Sequence, residues 1–401
     1  MATQSFYNPV RVVWGHEALA DLPALARGIG ISRVLVVTDP VIGKTAAFRL
    51  ALAALDGAGL PYRVFDQCGI DARLMSHVES EVVKLRLEGI DGVIGFGGGS
   101  VMCTAKSIAA LGANGDKLRP LEKATNIKRR PMPQIEIPTT AGSGTEVSPF
   151  TIVKDDVAGG KFTFGNALTF PDIALLDPAV LDSLPQHLAA ISAVDAITHS
   201  IEALFSKIAT PASDALAYEA ARILFGSVES AIVRGDAQAK LDNLLGSSLA
   251  NMACGQSRLG LAHRLSRPLE DTFGIQHGLG VGTILPRAVA FCAEQWPDKL
   301  GRLNEMLSLG AKAGAADDIK QRLVARLFAT YRAIGFPVSF DAARIAPSRA
   351  REMAEMAVSR TTDAAPRPER IEDATPIFAA NSQRATVAEA TQIYEACFEV
   401  P

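Results

Sequence analysis

The sequence predicts an α/β domain over residues 1–184 followed by an all-α domain over residues 185–401, and three observations carry that prediction. Short valine- and isoleucine-rich runs alternate with helical stretches through the first half. Two glycine-rich segments directly follow such runs. After Leu184-Pro185 the chain turns to alanine, leucine, glutamate and arginine at helical spacing, and no later run reads as a strand.

Taken in order, Val34–Thr38 is too brief for a helix and reads as a buried parallel strand. Thr45–Gly57 reads as a helix closed by its glycine, and Tyr62–Phe65 as a second strand. Val78–Glu88 is an amphipathic helix. Gly92–Phe96 is a third strand that runs straight into Gly97-Gly98-Gly99-Ser100, and Val101–Leu111 is the helix beyond. Gln134–Pro138 and Ile173–Asp177 complete the strands. This alternation implies βαβ units and a parallel sheet covered on both faces. Ala311–Asp318 and Thr361–Arg370 read as loops within the helical half.

Length and composition narrow the class. At 401 residues two domains are the expected division, and 48% hydrophobic with 21% charged residues suits a large globular core. A net charge of −3 makes no electrostatic case for nucleic acid or an anionic membrane. The five cysteines, Cys68, Cys103, Cys254, Cys292 and Cys397, form no CxxC pair and read as free thiols of a reducing compartment. The N-terminus lacks the pattern of a secretory leader, and no apolar stretch approaches the roughly 20 residues that span a bilayer. A cytoplasmic protein is expected.

The first glycine cluster, Gly97, Gly98, Gly99 and Ser100, lies after a strand and before a helix, where backbone can approach a ligand closely. Free N–H groups and the positive dipole end of that helix favour a pyrophosphate there. Its spacing is not GxGxxG, and a tight turn is the plain alternative. Asp39 ends the first strand, where a carboxylate can accept from ribose hydroxyls and repel a 2′-phosphate, which favours NAD(H) over NADP(H). An ordinary turn before Pro40 remains the other reading. The second glycine-rich stretch, Pro138–Glu146, brings Thr139, Thr140 and Ser143 as hydroxyl donors.

The second half carries Asp195 and His199 at i, i+4 spacing, so a helix would present both on one face. His263 and His277 follow in apolar or glycine-rich surroundings, where an unpaired imidazole is costly to bury. One carboxylate and three imidazoles suit a divalent transition metal, with a position left open for substrate. On spacing alone, core histidines and a surface Asp–His pair remain the ordinary explanation.

The whole set, Gly97–Ser100 with Ala105-Lys106, then Pro138–Glu146, then Asp195-Ala196-x-x-His199-x-x-Glu202, and His263 with His277-Gly278 fourteen residues on, resembles the iron-containing (group III, metal-dependent) alcohol dehydrogenases. Glycerol dehydrogenase and dehydroquinate synthase belong to the same wider group. The resemblance runs in order over nearly the whole chain. It implies a dinucleotide-binding α/β domain, a helical domain, and metal and nicotinamide in the cleft between them. By the same resemblance Asp195, His199, His263 and His277 are the metal ligands. Asp39, Gly98, Gly99, Ser100, Thr139, Thr140 and Lys161 match cofactor-contacting positions. Fe(II) is the family's usual metal, with Zn(II) or Mn(II) compatible with the same ligands. NAD(H) is the expected cofactor, and a homodimer is expected because relatives are commonly dimers or larger.

Two positions depart from the family pattern. Cys103 replaces the aspartate of GGGSxxDxAK, which bears on cofactor affinity or loop packing. Arg267 stands where many members carry a second histidine thought to assist proton transfer, and a guanidinium stays protonated at working pH. Spaced i, i+4 from His263, Arg267 has two readings: a clamp for a substrate carboxylate, phosphonate or sulfonate, or an ion pair with Glu270 or Asp271. The function read from the chain is therefore hydride transfer between NAD(H) and a small aldehyde or alcohol. A dehydroquinate-synthase-like lyase, a maleylacetate-reductase-like enzyme and a non-enzymatic scaffold are the competing readings.

Overall fold

In the computed structural model, which describes residues 3–68, 74–312, 314–341, 344–359 and 385–401, one unit spans Tyr7–Leu184 and a second begins at Pro185. The first unit runs β1 (Arg11–Trp14), α1 (Leu22–Gly28), β2 (Val34–Val37), α2 (Ala46–Gly57), β3 (Tyr62–Phe65), α3 (Met75–Leu87), β4 (Gly92–Gly97), α4 (Gly99–Asn114), β5 (Gln134–Pro138), β6 (Thr151–Lys154), β7 (Lys161–Phe164) and β8 (Ile173–Leu176).

Six of these strands form one sheet in the order β1-β8-β5-β4-β2-β3, and every pairing is parallel. Both β2 and β4 are buried at every position, which is why they read as continuous apolar runs rather than alternating ones. The chain passes from β2 outward to β3, then returns to the other side of β2 as β4. The order therefore reverses between β2 and β4, and the space outside their carboxyl ends is where open α/β sheets bind ligands. Val37 of β2 pairs with Gly95 of β4, so Asp39 and Gly97 end neighbouring strands at the same level.

Several elements differ from the sequence expectation. The edge strand β1 and the antiparallel hairpin β6–β7 belong to stretches not assigned to strands. Helix α4 starts at Gly99, so two of the loop glycines and Ser100 lie at or within its first turn.

The second unit is helical throughout its described residues: α5 (Gln186–Leu204), α6 (Pro211–Glu229), α7 (Ala237–Ser257), α8 (Leu261–Phe273), α9 (His277–Cys292), α10 (Pro297–Met306), α11 (Ala316–Ile334), α12 (Ala350–Ser359) and α13 (Val387–Ala396). Thr210 and Ser213 form a reciprocal capping box at the start of α6, with Pro211 just inside. Helix α11 begins at Ala316, so the loop expected over Ala311–Asp318 is shorter. Asp317 and Asp318 are first-turn acids that complement the helix dipole. The Thr361–Arg370 stretch lies outside the described residues. A single apolar core joins these helices through residues such as Val194, Ile197, Leu265, Val281 and Tyr331. The buried Tyr394 hydroxyl donates to the Leu265 carbonyl, fastening the last helix to α8.

Candidate metal centre and cofactor loops

Helix α5 puts Asp195, His199 and Glu202 on one buried face at spacings of four and three residues. His263 sits in the first turn of α8 and His277 is the first residue of α9. The start of α9 lies hard against α5. A side chain at Gly278 would meet the Ile191 carbonyl oxygen at 2.7 Å and the Asp195 Cβ at 3.4 Å, so only glycine lets His277 reach Asp195.

All four candidate ligands converge. Asp195 Oδ1 lies 3.6 Å from His263 Nε2, 3.7 Å from His277 Nε2 and 4.0 Å from His199 Nε2. Asp195, His263 and His277 each offer a ligand atom within 4.8 Å of the other two. The imidazoles of His199 and His263 are stacked with centroids 4.7 Å apart. Asp195 Oδ1 and His263 Nε2 are buried and have no hydrogen-bond partner among the described residues. Buried polar atoms are seldom left so, because each costs on the order of 1–3 kcal/mol. Donors about 2.1 Å from a tetrahedral cation stand about 3.4 Å apart, close to the spacing seen. The donor set therefore fits a divalent metal.

The clustered groups shift one another's titration. Burial pushes the Asp195 carboxyl upward, but the three imidazoles outweigh it and hold the group well below the usual carboxylate range. Burial lowers His199 to about 4, against the pull of Asp195. Burial also disfavours charge on His263, yet Glu202 and then Asp195 raise it to about 10. At 3.6 Å the Asp195 contact is too long for a hydrogen bond, so its pull on His263 is electrostatic.

Two carboxylates outside the ligand set hold the imidazoles. Glu202 Oε2 is 2.6 Å from His263 Nδ1, and Glu270 Oε1 is 2.7 Å from His277 Nδ1. Each leaves Nε2 turned toward Asp195. The sequence shows Glu202 only as part of a motif and Glu270 only as a candidate partner of Arg267. The signal that could have found them is the rule that a ligating histidine gives its other nitrogen to an acceptor.

Arg267 is exposed on α8, one turn beyond His263. It makes no ion pair among the described residues. Glu270, its i+3 neighbour, spends Oε1 on both His277 and Ser266. After burial, which raises it, those contacts and then the charge of Arg267 bring the Glu270 carboxyl down.

In the first unit, Gly97 closes β4, Gly98 precedes α4, and Gly99 and Ser100 begin that helix. The second glycine-rich stretch lies beside it, with Thr139 N–H donating to the Gly97 carbonyl at 3.0 Å. The buried Lys106 of α4 donates to the carbonyls of Thr145, Ser148 and Phe150, tying the two loops together. Thr140 and Ser143 are half-buried. Ser143 Oγ accepts from the Thr145 hydroxyl at 3.2 Å. Asp39 Oδ1 accepts from the backbone of Val41 and Ile42, so this carboxylate does shape a turn. Lys161 is exposed at the first position of β7, opposite Lys154.

Comparison with known proteins agrees with this construction. Residues 9–178 match the iron-containing alcohol dehydrogenase family and residues 189–382 match its C-terminal domain, described as Fe-containing alcohol dehydrogenase family, C-terminal. The probable alcohol dehydrogenase EutG of Escherichia coli (strain K12) is 32% identical over 304 residues, covering 75% of this chain and 76% of that protein. The sulfoacetaldehyde reductase of Bilophila wadsworthia is 27% identical over 312 residues, covering 77% of this chain and 80% of its own. An iron-containing alcohol dehydrogenase structure from Thermotoga maritima superposes with a TM-score of 0.78 at 28% identity, covering 99% of this chain and 100% of the other. With both halves matched, the chain belongs to the iron-containing alcohol dehydrogenase family and is an oxidoreductase acting on CH–OH groups.

Proposed function

We propose that the protein is a metal- and NAD(H)-dependent aldehyde reductase/alcohol dehydrogenase, with Asp195, His199, His263 and His277 as metal ligands. The observation that carries this reading is the meeting of Asp195, His263 and His277 at the unpartnered Asp195 Oδ1 and His263 Nε2, with His199 Nε2 4.0 Å from the same oxygen. When bound, a divalent metal supplies Lewis acidity at a carbonyl oxygen and a nicotinamide supplies hydride. Fe(II) is the metal we assign, since Asp-His₃ also accepts Zn(II) and Mn(II) and family membership favours iron.

The chain's own residues do the positioning. Gly97, Gly98, Gly99 and Ser100, at the start of α4, and Thr139, Thr140 and Ser143 beside them offer backbone donors and hydroxyls to a dinucleotide pyrophosphate and ribose. Asp39 stands at the switch point of the sheet with a half-buried carboxylate, which favours a free ribose 2′-hydroxyl and therefore NAD(H). Lys161 is assigned to the same cofactor. The domain division at residues 184/185 then separates cofactor loops from metal ligands. Five buried free cysteines suit a cytoplasmic enzyme, and a homodimer is the assembly assigned. No described helix is long and apolar enough to cross a membrane.

The substrate we assign is a small aldehyde bearing a carboxylate, phosphonate or sulfonate, gripped by Arg267. Three observations support this: the guanidinium is exposed, lies one turn from His263, and has no ion-pair partner among the described residues. A relative that reduces sulfoacetaldehyde, by its name, points the same way. The test is NADH oxidation with an anionic aldehyde and its neutral isostere, in wild type and Arg267→Ala. The clamp reading expects kcat/KM for the anionic substrate to fall by roughly 10–100-fold, the worth of a charge-assisted bidentate contact, with the neutral one little changed. Equal losses for both substrates would refute the clamp.

A further inference from the structure

The geometry points to Glu202 as a positioning residue for the metal centre: it latches the N-terminus of α8 onto α5 and fixes the tautomer and aim of His263. This rests on the metal reading of the site. Helix α8 has no capping side chain of its own. Its missing acceptors come from 58 residues earlier, where Glu202 Oε2 takes the Gly260 N–H at 2.8 Å and Oε1 takes the Ala262 N–H at 2.6 Å. Oε2 also lies 2.6 Å from His263 Nδ1. One buried carboxylate thus binds three donors and satisfies two helix-end N–H groups and one imidazole at once.

The chain around it is built to admit that carboxylate. A Cβ at Gly260 would fall 2.6 Å from the Glu202 carboxyl carbon, so any other residue there drives Glu202 off the helix end. Just before it, Arg258 adopts φ +70°, a conformation L residues rarely take, between the end of α7 and the start of α8. The Ser206 hydroxyl and the Cys254 thiol both donate into this turn, to the carbonyls of Ser257 and Arg258. Strain in a turn that presents a helix end to a buried acid persists only where the surroundings hold it.

The chemical consequence follows from proton placement. In the neutral imidazole that metal binding requires, Nδ1–H given to Glu202 leaves the lone pair of His263 on Nε2, the atom 3.6 Å from Asp195 Oδ1. A carboxylate acceptor also makes the imidazole a stronger donor to a cation. Because Asp195, His199 and Glu202 share one helix, the same side chain sets the distance between the α5 ligands and the α8 ligand.

The test uses full-length protein, its metal replaced by zinc, with nitrogen-15 in histidine only. In wild type, His263 is expected to show a metal-bound Nε2 and a slowly exchanging Nδ1–H. Glu202→Gln and Gly260→Ala are each expected to weaken zinc binding, measured by chelator competition, by roughly 10–100-fold and to speed exchange of that proton. The second variant keeps the carboxylate and only displaces it, so it separates positioning from loss of charge. Zinc affinity within threefold of wild type in both variants, or a wild-type His263 protonated at Nε2, overturns the assignment. Wild type that takes up no zinc overturns the metal reading itself.

Discussion

Asp195 Oδ1 and His263 Nε2 face each other at 3.6 Å, both buried and neither with a hydrogen-bond partner among the described residues. A pair of proteins' own polar atoms would close to about 2.8 Å if a proton joined them. Spacing and missing partners together support the proposed cation between them. Asp195→Ala is therefore expected to leave protein that purifies with far less than one metal per chain. Its affinity for added Zn(II) should drop by more than about 100-fold, beyond the effect of a second-layer residue. Metal analysis and chelator competition read this directly. A variant that retains full metal content would place the cation elsewhere.

Removing the metal by chelation is expected to abolish turnover while leaving NADH binding within about threefold, by fluorescence titration. The loops assigned to the cofactor lie in Tyr7–Leu184 and the ligands lie beyond Pro185, and the loops are held by Lys106 and by strand pairing, not by the ligands. Stability should respond as well. A site filled at 100 times its dissociation constant adds about 2.7 kcal/mol to the unit that carries it. A chelated protein with an unshifted melting curve would contradict that, and loss of NADH binding would contradict the division of labour.

Most of the first unit was legible because a parallel sheet buried on both faces writes itself as unbroken apolar runs, as at Val34–Val37 and Gly92–Gly97. Edge strand β1 escaped because its exposure pattern is mixed and its four residues, Arg11–Trp14, begin with a charge. Hairpin β6–β7 escaped because each strand is only four residues long and begins or ends on a lysine, with Gly159 and Gly160 taking positive φ in the turn between them. In the site, Asp195 and His199 declare themselves by helical spacing. Glu202 and Glu270 do not, since their partners arrive through tertiary packing: α8 docks its N-terminus on one, and His277 folds back over the other. Arg267 likewise had an available local acid, and only the fold shows that acid spent on His277 and Ser266.

Asp39 performs two tasks that one substitution can separate. Its Oδ1 shapes the turn after β2 by accepting from Val41 and Ile42, and its charge lies just beyond the end of β2, beside the switch point. Asn keeps the acceptor and removes the charge. Asp39→Asn is thus expected to fold normally and to narrow the preference for NADH over NADPH by about tenfold, the worth of about 1.4 kcal/mol of repulsion near a surface. The ratio of kcat/KM for the two cofactors is the measurement. An unchanged ratio would leave Asp39 as a turn residue only.

Glu136 carries a pH dependence of its own. It lies on β5, fully buried, opposite Gly95 of β4, and neither carboxyl oxygen has a hydrogen-bond partner among the described residues. Burial raises its carboxyl well above the ordinary 4.5. The nearby Lys106 opposes the rise, and Cys103 and Glu146 add to it. Lys106 gives its hydrogen bonds to three carbonyls and not to Glu136, so its pull is electrostatic, without a hydrogen bond. A raised folded-state value means that the folded chain keeps a proton which the unfolded chain releases. Stability from this group is complete below about pH 4.5 and is lost as pH climbs toward the folded value, by up to about 1.4 kcal/mol per pH unit. Glu136→Gln cannot lose that proton. Its stability relative to wild type should therefore be near constant below pH 4.5 and grow as pH rises above it toward the raised folded value, read by denaturant unfolding at each pH. Parallel curves for the two proteins would show that Glu136 is ionised in the fold, held by Lys106 after all.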